Sequence, residues 1–407
     1  MSWIKKRLGE VLIIERGGSP RPIDKYLTTS HDGINWIKIS DATASDKYIF
    51  ETKEKIIKEG LHKTRMVNDG DFILSNSMSF GRPYIMKTSG CIHDGWLVLK
   101  QNGEKVFDTE FLYYLLSSPF VYKQFDYLAA GSTVRNLNIA LVSSVKVPVP
   151  TISEQKNIVS KLDEVFEQIS KAKANAEQNL KNAKELFESY LQGVFENGNE
   201  NWEVNCLDEL GTITSSKRIY KSEYVKDGVP FYRTKEIKEL SNGKPITLEL
   251  FISRQRYEQI KQSFGVPKIG DLLMSAVGTI GEIMVIENED EFYFKDGNIV
   301  WFKDFEKLDT NYLKYALTAF VEKIKSLAIG AAYSALTIEK LNKYQIAFPS
   351  TIDEQQTIVR QLDALRAETQ KLEAVYQKKI ADLEELKKSI LQKAFAGELK
   401  TEKAVAV

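Results

Sequence analysis

The chain has 407 residues, 43% of them hydrophobic, with 56 basic and 56 acidic side chains. It is too long for one ordinary domain and too apolar for a disordered one, and no apolar run approaches the roughly 20 residues of a membrane span. Residues 1–150 hold 20 basic and 16 acidic residues, net +4, while 197–350 hold 20 and 22, net −2. Nucleic-acid binders usually show a strong basic excess. Any basic surface here must therefore be local, or partner subunits must supply most phosphate contacts. Cys91 and Cys206 fall in different halves, and His31, His62 and His93 make no metal pair at helical spacing. The start Met-Ser-Trp-Ile-Lys-Lys-Arg lacks the apolar core of a signal peptide. A cytoplasmic, metal-free protein without membrane contact is expected.

Residues 1–150 read as a first globule. Short apolar runs bounded by Gly and Asp, such as Phe72-Ile-Leu-Ser75 and Trp96-Leu-Val-Leu99, predict strands. Trp36 and Trp96 lie in strand patterns and are assigned to the core. Three- and four-residue apolar spacing predicts a helix over 109–128.

Residues 151–198 read as a long helical arm. Pro150 precedes Thr151-Ile-Ser-Glu154-Gln155, and Thr151-x-x-Glu154 fits a capping box in which hydroxyl and carboxylate satisfy orphan N–H groups reciprocally. Ile158, Leu162, Val165, Ile169, Ala172, Ala176, Asn179, Ala183, Leu186 and Tyr190 then follow at alternating steps of four and three. That is a coiled-coil seam sustained over about four heptads, on a helix of roughly 44 residues or ~66 Å. The arm ends near Phe195, with Gly198 as a stop.

The chain then repeats itself. Residues 199–350 form a second globule, 351–399 a second arm and 400–407 a tail. Thr351-Ile-Asp-Glu354-Gln355 stands 200 residues after its first copy, and Leu186, Ser189, Leu191, Gln192 and Phe195 recur as Leu386, Ser389, Leu391, Gln392 and Phe395. The second seam reads Ile358, Leu362, Leu365, Thr369, Leu372, Tyr376, Lys379, Leu383, Leu386 and Ile390. Between the globules, Trp3 matches Trp202, Gly70-Asp-Phe-Ile-Leu-Ser75 matches Gly270-Asp-Leu-Leu-Met-Ser275, and Gly81 matches Gly281. Asp94-Gly95 matches Asp296-Gly297, and Gly131…Leu137 matches Gly330…Leu336. Strands are predicted at 272–275, 283–286 and 299–302, and a helix over 309–327. Each seam needs a partner, and the matched partner is in the same chain, so the arms are expected to pair antiparallel with Asn179 opposite Thr369 and Ile169 opposite Lys379. The fold class is α+β, with two pseudo-symmetric α/β recognition domains separated by two long helices that form an antiparallel coiled coil.

Two globules, each followed by a long helix that opens on Thr-Ile-x-Glu-Gln after a proline and closes on a Leu-x3-Phe step, resemble the specificity subunit of type I restriction–modification systems. The resemblance covers essentially the whole chain. It departs at Ala347-Phe-Pro-Ser350, with one proline where Val147-Pro-Val-Pro150 has two. It implies that each globule is a target recognition domain reading one half of a bipartite double-stranded DNA target. It implies that the arms set the gap and dock two methyltransferase subunits, with two motor-nuclease subunits added for restriction. S-adenosylmethionine, ATP and magnesium would be bound by those partners, with no cofactor on this chain.

The residues agree in what they lack. No two prolines are adjacent, so the Asn/Asp-Pro-Pro-aromatic motif of amino-methyltransferases is missing, and there is no Gly-x-Gly-x-x-Gly or Gly-x4-Gly-Lys-Ser/Thr loop. A Glu236-x-Lys238 pair downstream of Asp227 is a chance match in so charged a chain. A non-catalytic subunit is expected, against the rival of a coiled-coil adaptor that binds only protein. DNA contact is assigned to polar, Gly-punctuated loops, because bases are read by short polar and basic side chains. In the first globule these are Arg16, Ser19, Arg21, Ser75, Asn76, Ser77, Arg82, His93, Arg135 and Asn136. In the second they are Ser216, Lys217, Arg218, Arg233, Lys235, Ser275, Thr279 and Tyr333.

Overall fold

The computed structural model describes residues 3–398 apart from 44, 46, 77–79, 102, 130–135 and 328–335. It divides into two compact units, Met1–Glu177 with Lys378–Val407, and Gln178–Gln377. Each unit therefore holds one globule, the near part of the arm that follows it and the far part of the other arm.

In the first unit, one sheet runs in the order Leu12–Arg16, Trp96–Gln101, Phe72–Ser75, Pro83–Met86 and Tyr48–Ile49. A second runs Leu27–Thr28, Glu54–Ile56, Ile34–Ile37, Gly90–Ile92 and Arg65–Val67. Ile37, Ile73, Ile92, Trp96 and Val98 pack together in one core cluster of this unit. Trp36 and Trp96 are 3% and 0% exposed, as core residues should be. The second unit repeats the order with fewer edge strands. Its sheets are Thr212–Thr214, Ile299–Lys303, Leu272–Ser275, Ile283–Val285, and Tyr224–Val225, Phe251–Ile252, Val229–Tyr232, Tyr293–Phe294. In both units the opening strand pairs antiparallel with the strand that leads into the arm: Ile4–Arg7 with Lys146–Val149, and Glu203–Cys206 with Gln345–Phe348.

The helix expected over 109–128 is two, Thr109–Leu116 and Pro119–Ala129, because Pro119 cannot continue a helix and starts a new one. Its counterpart has no proline there and runs unbroken from Thr310 to Leu327.

The arms are helices Ile152–Asn197 and Ile352–Ala396. The first capping box closes, with Glu154 N donating to Thr151 Oγ1 at 3.3 Å and Thr151 N donating to Glu154 Oε2 at 2.9 Å. The second keeps the hydroxyl half, with Glu354 N donating to Thr351 Oγ1 at 3.4 Å, while Glu354 Oε2 accepts from the Thr351 hydroxyl at 3.3 Å. The glutamine of the motif does more. Gln155 is fully buried; its Oε1 accepts from Asp108 N at 2.7 Å, and its Nε2 donates to Val106 O and Pro150 O, both at 2.9 Å. Gln355 repeats this with Asp309 N, Lys307 O and Pro349 O at 2.7, 3.0 and 2.9 Å. Asp108 and Asp309 in turn cap the preceding helix, so one side chain joins the arm's first turn to the globule. A second tie follows two turns later, from Tyr114 to Asp163 and from Tyr315 to Asp363.

Within each unit the arm segments run antiparallel. In the first, Ile158, Leu162 and Ile169 share a core with Leu391, Ala394 and Phe395, and Lys173 Nζ meets Glu384 Oε1 at 2.7 Å. In the second, the Arg366 guanidinium lies 4.8 Å from the Phe187 ring centroid. These contacts put the register about a heptad away from the expected Asn179–Thr369 pairing, and Asn179 is exposed while Thr369 is buried. The seam itself is also corrected. Val165, Leu186 and Tyr190 of the first arm are exposed, with Phe166, Phe187 and Leu191 buried in their place, and Leu372 and Leu386 of the second arm are exposed too. A strict seven-residue repeat drifts around a 3.6-residue helix, and the globules reward the neighbouring positions. Phe166 meets the Tyr114 ring at 5.6 Å and Phe187 meets Tyr315 at 6.2 Å.

Candidate nucleic-acid interface

In the first unit the loop before strand Trp96–Gln101 gathers the expected side chains around one aspartate. Ser19 Oγ donates to Asp94 Oδ1 at 2.7 Å, and Arg21 Nη2 lies 3.5 Å from Oδ2. Arg16 Nε and Asn76 Nδ2 both donate to the Asp94 carbonyl, at 3.1 and 2.8 Å. The serine hydrogen bond is the main reason that the Asp94 carboxyl is held below its usual range. His93 is half-buried: its Nδ1 accepts from Gly95 N at 2.9 Å, and its ring centroid lies 6.2 Å from that of Trp36 and 6.1 Å from that of Trp96. Burial pushes its imidazole below the usual value, so it is neutral near pH 7. An open cleft of about 1120 Å³ lies beside these residues, lined by Ser19, Arg21, Trp36, Lys38, Glu54 and His93. Arg82 is exposed with its guanidinium 5.5 Å from the buried Tyr84 ring, and Asn136 is exposed.

The second unit places Asp296 where the first has Asp94. Arg218 Nε donates to Asp296 Oδ2 at 2.7 Å, a bond that raises the already high guanidinium pKa. Lys217, beside Arg218 in sequence, is exposed, as is Thr279, and Lys217 N donates to Tyr293 Oη at 2.6 Å. Arg233 and Lys235 are neutralised locally. Arg233 Nη2 contacts Glu236 Oε1 at 2.6 Å and Glu249 Oε2 at 2.7 Å, and Lys235 Nζ donates to Glu249 Oε1 at 2.9 Å. Lys235 and then Arg233 pull the Glu249 carboxyl down to about 2. Glu236, the acid of the chance nuclease match, is 2% exposed and tied to Arg233.

Four assignments are corrected. Ser75, Asn76, Ser216 and Ser275 are buried, so their side chains do not face a groove. Ser75 Oγ accepts from Arg82 N at 3.1 Å and Ser275 Oγ from Glu282 N at 3.0 Å, each closing the loop that follows its strand. Gly81 and Gly281 complete those loops at φ +79° and +88°; a Cβ on Gly281 would stand 2.4 Å from Val321 Cγ1. Ser77, Arg135 and Tyr333 lie outside the described residues. What sequence reasoning passed over is the aspartate pair. Asp94 and Asp296 were visible as matched Asp-Gly steps but were not assigned to the site. No helix among the described residues is long and apolar enough to cross a membrane.

A family model described as type I restriction modification DNA specificity domain matches residues 2–180 and again 199–382. A type I restriction enzyme specificity subunit of Methanocaldococcus jannaschii is 23% identical over 98% of this chain and 93% of its own length. A relative from Haemophilus influenzae is 30% identical over 267 residues, 64% of this chain and 65% of that protein. Among solved structures, a chain from a study of complex assembly in a type I restriction–modification system superposes with a TM-score of 0.77 at 21% identity, covering 98% of both chains. The specificity subunit of Thermoanaerobacter tengcongensis superposes at 0.61, also at 21% identity, over 98% of this chain and 97% of its own. With two copies of the domain and the same fold over the whole length, the chain belongs to the type I restriction–modification DNA specificity family, as its specificity subunit.

Proposed function

We propose that each unit reads one half of a bipartite double-stranded DNA target and that the arms set the unread gap and dock two methyltransferase subunits, with two motor-nuclease subunits joining for restriction. The chain performs no chemistry itself. S-adenosylmethionine, ATP and magnesium belong to the partners, and an adenine in each half-site is turned out of the stack for the methyltransferase. The assembly works on DNA in the cytoplasm.

One observation carries this reading: the unit is doubled, and in both copies the Asp-Gly turn before the same central strand holds an arginine from the loop after the first sheet strand. Two equivalent readers on one chain suit two half-sites, as symmetric dimers suit palindromes. The near-neutral net charge fits a division in which the partners supply most backbone contacts.

The test is a genome-wide map of adenine methylation in cells that carry the chain with the methyltransferase of its own system. A split motif with a fixed gap is expected, and replacing residues 1–150 should change one half only. A continuous motif would mean that a single unit reads DNA. Absence of methylation, with the partner folded and bound, would favour the protein-only adaptor.

A further inference from the structure

The basic side chains near the second unit's loops are not equivalent. Arg233 spends both Nε and Nη2 on Glu236 and shares Nη2 with Glu249, so two carboxylates cover its guanidinium, and Lys235 also faces Glu249. Arg218 differs: Asp296 takes it at Nε, on the inner edge of the guanidinium. Its side chain is 65% exposed over an aspartate that is 16% exposed, so the carboxylate sits recessed beneath an outward arginine.

The surrounding backbone is tied from both sides. Ser215 Oγ donates to Ile299 O at 3.1 Å and accepts from Gly297 N at 3.2 Å. Lys217 N donates to the hydroxyl of Tyr293, whose side chain is fully buried. The residues flanking Arg218 and those flanking Asp296 are thus cross-linked to each other by hydrogen bonds. A guanidinium held at Nε on a fixed base presents its remaining N–H groups as a fork. That fork matches the O6 and N7 acceptors of guanine in the major groove, and preorganisation reduces the entropy lost on contact.

Building on the reading of the second unit as a half-site reader, the geometry points to Arg218 as the side chain that recognises a guanine in that half-site, with Asp296 as its positioning residue. A phosphate would also accept from such a fork, but a phosphate contact carries no sequence information and would weaken all targets alike.

The experiment maps methylation by the full complex for the wild type, Arg218→Ala, Arg218→Lys and Asp296→Asn. Co-purification with the methyltransferase and an unchanged melting midpoint serve as folding controls. In the wild type, a split motif upholds the half-site reading on its own, independently of the arginine. In Arg218→Ala, preference for guanine at one position of one half should fall about tenfold or more, while the other half and the gap stay as they were. Asp296→Asn should relax the same position by less, and Arg218→Lys, which lacks the fork, should not restore it. A uniform drop with the motif intact would assign Arg218 to phosphate and overturn the proposal. So would an unchanged map, or a relaxed position that is not a G·C pair.

Discussion

Gln155 and Gln355 make the same three hydrogen bonds in the two units, whereas Asp94 and Asp296, at equally matched positions, gather different partners. Asp94 draws Arg16, Ser19, Arg21 and Asn76; Asp296 draws Arg218. The frame of the unit is thus repeated down to single side chains, and the loops it carries are not. A buried polar side chain with every group paired has few acceptable substitutes, since each change strands a donor or acceptor. A solvent-facing loop has no such constraint and is free to differ. The divergence between the copies therefore marks where a different half-site would be read.

The strongest way to break the equivalence of the frames is through the arm ends. Phe395 is 2% exposed and meets Phe111 edge-on at 5.3 Å. Phe195 meets Tyr312 at the same distance but is only partly buried. Phe395→Ala should cost about 3–5 kcal/mol in denaturant unfolding. Phe195→Ala should cost clearly less, and equal losses would show that the two ends are more alike than their burial implies.

The glutamines sharpen the comparison from the other side. Gln155→Ala leaves Asp108 N, Val106 O and Pro150 O without that partner, so a loss of about 3 kcal/mol is expected, and Gln355→Ala should match it. A large difference between the two variants would mean that one lock matters less than its geometry suggests.

The smallest effect separates the units by pH. Glu249 of the second unit is depressed to about 2 by Lys235 and Arg233, so its stabilising contribution is full above the ordinary glutamate value of about 4.3 and fades as pH falls toward 2. Glu249→Gln should lower the melting midpoint slightly at pH 7, and the gap to wild type should close as the pH falls through that window. A gap that persists at pH 2 would show that charge is not its source.

Much of this was legible in the residues. The 200-residue period, the threonine caps of the arms, the central strands and the antiparallel arms follow from spacing and local chemistry. Where the reading slipped, tertiary contacts had overruled local pattern. Val165 and Leu186 fit an ideal heptad, yet Phe166 and Phe187 are buried, because Tyr114 and Tyr315 of the globules offer them aromatic partners. Ser75 and Ser275 have the composition of a contact loop, yet each hydroxyl closes its own loop from inside.

By itself the sequence determined the doubled unit, its helix starts and the family to which it belongs, since these depend on residues close along the chain or on the repeat of one stretch by another. Only the tertiary structure decided which polar side chains face outward, the register of the arms, and the meeting of Arg218 with Asp296. Those depend on groups far apart in the chain, brought together by packing that no local pattern encodes.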